Sequence, residues 1–257
     1  MLNLLLIESR RQWLMFRRYP VESFAGVVVF TILFFGLFTG ARYLAGTQVD
    51  FAHRLDVVVA GYVLWLVTTG LFVGPGAQIT EDARVGILEQ LFVSPHNFTV
   101  FTVIRVLSGL VQHLLLILVV LSAICLITGT RLEYRLAELV PFAGIVLAAT
   151  GLGLMAASYA LLVKQVSALL GIGQFLLLPL VATPVQSLPG FGAWLAAVLP
   201  INPSSQLLQS ELASGRAARA GELALAMGNG VAFFLLGAWL LDRASRRARR
   251  LAIVGSF

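Results

Sequence analysis

The chain has 257 residues, of which 59% are hydrophobic and 12% charged, with a formal net charge of +6 and a mean hydropathy of +0.92. Soluble domains carry about 25% charged residues, so this is an integral membrane protein, and at about 20 apolar residues per span it has room for six helices and no sizeable catalytic domain. The positive balance reflects membrane orientation and not nucleic-acid binding, because the arginines cluster beside spans, and the single Cys125 excludes an intramolecular disulfide and a thiolate metal cage.

Residues 1–20 begin with a short apolar run, MLNLLLI, which Arg10 and Arg11 follow instead of preceding, so the segment is not a signal peptide. On a helical wheel Leu2, Leu5, Leu6, Trp13 and Phe16 share one face, and Arg10, Arg11, Arg17 and Arg18 fall on the other. That pattern describes a helix lying in the membrane interface, with its arginines toward anionic headgroups. Pro20 then permits the turn into a first span, 23–41. A loop with Arg42, Asp50, His53, Arg54 and Asp56 leads to a second span, 57–75.

Residues 76–97, GAQITEDARVGILEQLFVSPHN, interrupt the apolar pattern. Gly74, Pro75 and Gly76 are expected to break the preceding helix, and Pro95 to stop a short one. Glu81, Asp82, Arg84 and Glu89 alternate with apolar residues, and Ile87, Leu88, Leu91 and Phe92 have the i, i+1, i+4, i+5 spacing of one helix face. The segment reads as a short amphipathic helix held against the membrane. It is either a docking element or an interfacial connector.

The third span, 98–128, is longer than a bilayer needs and so projects or tilts. A charged loop at 129–138 precedes the fourth span, 139–163, which ends at Lys164, and a fifth span follows at 168–188. Residues 189–220 contain FGAWLAAVL, too short to cross, bracketed by Pro189, Pro200 and Pro203. They read as a pair of re-entrant or interfacial helices, which a membrane accepts where protein or water satisfies the bent backbone. The sixth span, 222–241, ends in DRASRRARR. The termini, the 76–97 side and Lys164 hold the larger share of the basic residues, so both termini are expected in the cytoplasm and the re-entrant pair outside.

Catalytic patterns are missing from the sequence. It has no GxxxxGK[ST] phosphate loop, no HExxH and no GxSxG, and His53, His96 and His113 are scattered, so neither a catalytic residue nor a metal site is expected. Every Asp and Glu lies in a loop or at a span end, which argues against ion-coupled transport through a buried carboxyl. Within the third span Arg105, Ser108, Gly109, Gln112 and His113 form one polar face, with Gln112 and His113 about 20 Å along the helix. That face is either a substrate path or interhelical hydrogen bonding, and Gln174 with its neighbour Phe175 in the fifth span admits the same two readings. On the fourth span Gly144, Ala148, Ala149, Gly151, Gly153 and Ala157 form a packing stripe.

The string EDARVGILEQLFVSP resembles the cytoplasmic loop of type-2 ABC transporter permeases, and LPINPSSQLLQSELASG is similar to the Asn-Pro segment before their last span. Ile87 departs from the Thr common in that loop, and Ser204-Ser205 from the bulky residues common after the Asn-Pro. The resemblance covers nearly the whole chain and implies an all-α transmembrane domain of six spans with an interfacial amino-terminal helix. It also implies a separate ABC ATPase subunit that holds ATP and Mg2+, so this chain needs no cofactor of its own. A second permease copy or paralogue, most simply in a homodimer, and membrane lipids complete the implied partners. The resemblance makes 76–97 a coupling segment that meets the ATPase through Glu81, Ile87, Leu88, Glu89, Leu91 and Phe92. It also implies a path lined by the second and fifth spans. Gln112, His113, Gln174 and Phe175 are the candidate path residues, for a lipid-like, lipid-linked or amphiphilic cargo exported from the cytoplasm across the inner (plasma) membrane. The alternative is a membrane scaffold or assembly factor without transport activity, which would lack an ATPase partner.

Overall fold

The structure, a computed structural model, describes residues 2–18, 20–45, 55–93, 97–129, 138–163, 166–182, 191–214 and 218–250. Most of the loops expected at 42–56 and 129–138, Ser94 to His96 with Pro95, Lys164, the end of the fifth apolar segment and Pro189 lie outside these residues. The regular elements among the described residues are all helical: α1 (Leu2–Arg18), α2 (Pro20–Ala45), α3 (Leu55–Arg84), α4 (Ile87–Val93), α5 (Phe98–Thr128), α6 (Leu139–Leu162), α7 (Ser167–Ala182), α8 (Phe191–Val198), α9 (Asn202–Ser214) and α10 (Ala220–Arg250). Stretches within α3, α5, α6 and α10 are long and apolar enough to cross a membrane, and Phe24–Gly40 and Ser167–Val181 are shorter apolar helices. The protein is an all-α, multi-pass membrane protein.

Helix α6 is the axis of the bundle. It packs most extensively against α10 and α3, and more than half of its apolar window is buried inside the chain. The cause is its small residues. A Cβ on Gly151 would lie 2.3 Å from the Phe233 carbonyl oxygen, and one on Gly237 would lie 2.2 Å from the Gly151 oxygen. One on Gly230 would lie 2.6 Å from the Gly144 oxygen. Gly144 meets Gly230 and Gly151 meets Gly237 in the same order, so α6 and α10 run parallel with their backbones in contact. In lipid, where apolar burial gives little net drive between helices, such close approach is what holds them together.

The expected break at Gly74-Pro75-Gly76 does not occur, because α3 continues as helix to Arg84. Proline removes the N–H that would serve the carbonyl four residues earlier, here that of Leu71. Gly153 of α6 comes in against that carbonyl, where a Cβ would be 2.1 Å from the Leu71 oxygen and 3.1 Å from Pro75 Cγ. The bare carbonyl is thus covered by a neighbouring backbone, and the proline is accommodated without ending the helix.

Two cores stack along the bundle. One gathers Phe34, Tyr62, Trp65, Ile124, Ile145 and Leu208, with the Tyr62 hydroxyl donating to the Phe30 carbonyl at 2.6 Å and Trp65 Nε1 to that of Gln174 at 3.0 Å. These bonds tie α3 to α2 and α7 without leaving a polar tip in lipid. At this end α8 and α9 meet at Ile201, a fully buried β-branched residue at φ 69°. Such a conformation costs about 1–3 kcal/mol and persists only where its surroundings fix it. Asn202 Nδ2 donates to the Leu180 carbonyl at 3.2 Å and Gln209 Nε2 to that of Val181 at 2.7 Å. These are last-turn carbonyls of α7, which have no partner inside the helix.

The second core gathers Ile79, Ala83, Leu88, Phe98, Leu161, Leu170 and Leu241 at the opposite end. Here α10 runs on as helix through the arginine-rich tail to Arg250, with Ala244, Ser245 and Ala248 buried and Arg243, Arg246, Arg247, Arg249 and Arg250 exposed. Helix α1 lies across α5. Its arginines are exposed, as are Leu6, Ile7, Trp13 and Leu14. Among the described side chains of α1, Glu8 is buried and Gln12 half-buried.

The backbone contact makes a stability prediction. Gly151→Ala must push α10 away, and such overpacking costs about 1–3 kcal/mol or more. Gly171→Ala on α7 meets nothing within 4 Å, and there the gain in helix propensity, about 0.5–1 kcal/mol, leaves stability equal or higher. Thermal unfolding of the two variants in detergent should separate them clearly, the first falling and the second holding.

Candidate functional site

The end of α3, the turn and α4 form one rigid unit. Gly86 adopts φ 75°, the left-handed conformation that closes a helix C-terminus, while Val85 N donates to the Glu81 carbonyl at 3.0 Å and Gly86 N to that of Ala83 at 3.3 Å. Helix α4 therefore starts at Ile87 without needing a side-chain cap. Its apolar residues do not share one outward face. Leu88 is buried in the chain's own core, Leu91 and Phe92 are half-buried against it, and only Ile87 is exposed. Phe92 stacks on Phe98 with ring centroids 4.9 Å apart, and the Arg249 guanidinium lies 5.3 Å above the Phe92 ring. Leu88 is thus taken up by the chain's own core, while Leu91 and Phe92 are only partly covered by it.

The surface left by this arrangement is different. Val85, Ile87 and Val93 are 62%, 41% and 87% exposed, with Glu81, Arg84, Glu89 and Gln90 exposed among them. The tip thus carries three apolar side chains among charged and polar ones.

Beneath this tip lies an ion pair. Asp82 and Arg105 are 5% and 7% exposed, and the guanidinium grips the carboxylate with both terminal nitrogens, the second bond being Nη2 to Oδ1 at 3.2 Å. A bidentate pair fixes direction as well as distance. It locks the last turn of α3, and so α4, to α5. Asp82 belongs to the segment read from sequence as a polar interruption separate from the preceding span, and the pair becomes visible only when α3 is carried through Pro75. An acidic residue near the end of one span and an arginine two turns into the next was the signal to follow.

The guanidinium also borders a cavity of about 260 Å³ between α1, α3 and α5. Gln12, Gln78, Arg105, Gln112 and His113 line it, together with Gly70, Gly74 and Gly109. Gly74 leaves space there, since a Cβ on it would meet nothing within 4 Å. His113 packs directly on Gly70 and its Nε2 lies 3.3 Å from the Leu66 carbonyl oxygen. The residues of the polar α5 face thus have different surroundings. His113 bonds a neighbouring helix, and Gln112 borders open space. Gln12 and Gln78 were not singled out in the sequence, because isolated glutamines beside arginine-rich segments carry no pattern.

Gln174 and Phe175 lie elsewhere, on α7. Neither lines this cavity, and α3 packs against both α5 and α7. It is the Gln174 main chain that accepts from Trp65, while Phe175 is exposed on the outer surface of the chain. The four candidate path residues therefore do not form one site within the chain. Among the described residues no cluster of His, Cys, Asp and Glu is arranged to hold a metal.

Removing one member of a buried ion pair strands a charge and costs about 3–5 kcal/mol, whereas replacing both by apolar side chains of similar size is often neutral. Asp82→Leu and Arg105→Met should each lower thermal stability strongly in detergent, and the double variant should recover most of the loss. Equal destabilisation by the single and double variants would mean the pair is not coupled.

The geometry has a counterpart among known families. The family model described as ABC-2 type transporter matches residues 3–211, from α1 through α9. No individual curated protein matches the chain. The match covers most of the chain and includes both the α3–α4 tip and the Asn202 turn, so the chain belongs to the ABC-2 type transporter family and is a membrane-embedded transporter permease subunit.

Proposed function

We propose that this chain is the transmembrane subunit of an ATP-driven exporter and that a separate ABC ATPase docks on the tip formed by Val85, Ile87 and Val93. The observation that carries this reading is the two-sidedness of α4. One side, Leu88 and Phe92, is anchored in the chain's own core, and the other presents exposed apolar residues among charges. Because Asp82–Arg105 and the Phe92–Phe98 stack leave the tip little freedom, a push on it is passed to α3 and α5 instead of being absorbed locally.

On this reading α2, α3, α5, α6, α7 and α10 are six spans, α1 lies in the inner interface and α8–α9 form the re-entrant pair outside. Both termini are cytoplasmic, which puts the arginines of α1 and α10 on the inner side of the plasma membrane in accord with their charge. A second copy, in a homodimer, covers the exposed apolar faces of α2 and α7, so that Gln174 and Phe175 line a path between copies. The cargo is lipid-like, lipid-linked or amphiphilic.

Reconstitution with the partner ATPase tests the docking surface. Ile87→Asp and Val93→Asp should weaken ATPase binding by on the order of 2–4 kcal/mol, the range of interface anchors, while leaving the permease's thermal stability intact. Glu89→Ala should have a smaller, salt-dependent effect, as rim charges do. Leu88→Ala should instead lower the stability of the permease alone by about 2–5 kcal/mol, as buried leucine truncations do. If both aspartate variants bind and stimulate the ATPase like the wild type, the docking proposal fails.

A further inference from the structure

We infer that the cavity between α1, α3 and α5 binds the head of a membrane amphiphile that is rich in oxygen acceptors and carries no net charge, with its acyl chain lying along the outer face of α5. The lining chemistry points to such a head. Gln12, Gln78 and Gln112 bring three carboxamides to one small space. Arg105, more than nine-tenths buried, is also in the lining. The charge of the same guanidinium is already met by Asp82 through its terminal nitrogens. The site therefore offers hydrogen bonds without a net positive field, which favours a zwitterionic or polyhydroxylated head over an anionic one.

Size and surroundings limit the ligand further. At about 260 Å³ the cavity falls just below the roughly 300 Å³ at which pockets begin to enclose whole drug-sized molecules, so it takes a head and leaves a tail outside. Leu107, Val111, Leu115 and Leu118 of α5 are exposed at helical spacing beside the lining residues and give the tail an apolar track. Gly74 keeps the cavity open from the α3 side.

Two sources share this chemistry: a resident bilayer lipid and the transported cargo. Binding by the permease alone does not depend on the exporter reading, which enters only in deciding between them. The probe is phosphatidylethanolamine with a photoactivatable diazirine on its acyl chain, at trace level in phosphatidylglycerol vesicles holding the permease without an ATPase. A phosphatidylglycerol probe with the same diazirine serves as reference. Residues 107–118 should be labelled by the zwitterionic probe about fivefold or more over the anionic one, the effect of roughly one net hydrogen bond. Gly74→Leu, which fills the space, and Gln112→Leu, which removes polarity at similar size, should each bring labelling down to the reference level. Labelling around Trp239 on the exposed face of α10 should stay unchanged. Equal labelling by the two probes, or labelling that survives both substitutions, would overturn the site and leave a water-filled cavity. Should Gly74→Leu fail to insert, Gln112→Leu decides alone. When the partner ATPase and ATP are added, loss of the cross-link identifies the ligand as cargo, and persistence identifies a resident lipid. Both results uphold the site.

Discussion

At Gly151 and Gly153 the backbone of α6 lies directly against the backbones of α10 and α3, and the rest of the structure is arranged around that constraint. Backbone contact at Gly151 and Gly237 holds α10 parallel to α6, and contact between Gly153 and the Leu71 carbonyl holds α3 along its other side. In a lipid solvent this kind of contact replaces apolar burial as the source of cohesion. It also lets α3 carry a proline without ending, since the carbonyl that Pro75 leaves bare is covered by α6. One glycine stripe thus sets the positions of three long helices.

The consequences gather at one end of the bundle. Because α3 runs unbroken to Arg84, Asp82 reaches Arg105 on α5, and the tip at Gly86 is carried on a continuous helix instead of a loop. Because α10 continues past its apolar part, Arg249 reaches the ring of Phe92 and closes the core over α4. The tip is held by an ion pair on one side and a stacked aromatic pair on the other. A buried ion pair adds little net stability over apolar packing, so its value here is direction: it makes α3 and α5 answer together to a force on α4. The same arginine also lines the neighbouring cavity, so the mechanical joint and the polar pocket share a side chain.

Much of the helical layout is legible in the sequence, because apolar runs are separated by charged, Pro- and Gly-rich stretches whose local chemistry is strong. The packing stripe on α6 is legible for the same reason, since small residues at helical spacing have few other uses. What local rules miss is what a distant segment supplies. Pro75 looks like a helix end until Gly153, far along the chain, covers the carbonyl it exposes. The spacing of Ile87, Leu88, Leu91 and Phe92 reveals an apolar face but not its cover, and α10 and α5 take most of it before any partner can. Gln112 and His113 stand out by their spacing within an apolar helix. Gln12 and Gln78 become part of the same cavity only once α1 lies across α5. At Gln174 the side chain drew attention, yet it is the main-chain carbonyl that bonds Trp65.

The central claim is that the α3–α4 tip is a docking surface for an ATPase, and a photo-cross-linker placed at Ile87 reads it most directly. Benzoylphenylalanine at Ile87, with the same group at the exposed Val198 of α8 as control, would be photolysed in native membranes and the attached protein identified. The account predicts that the Ile87 position captures an ATPase with a Walker phosphate loop and that the Val198 position does not. Capture of lipid alone at Ile87, or of the ATPase equally from both positions, would contradict it.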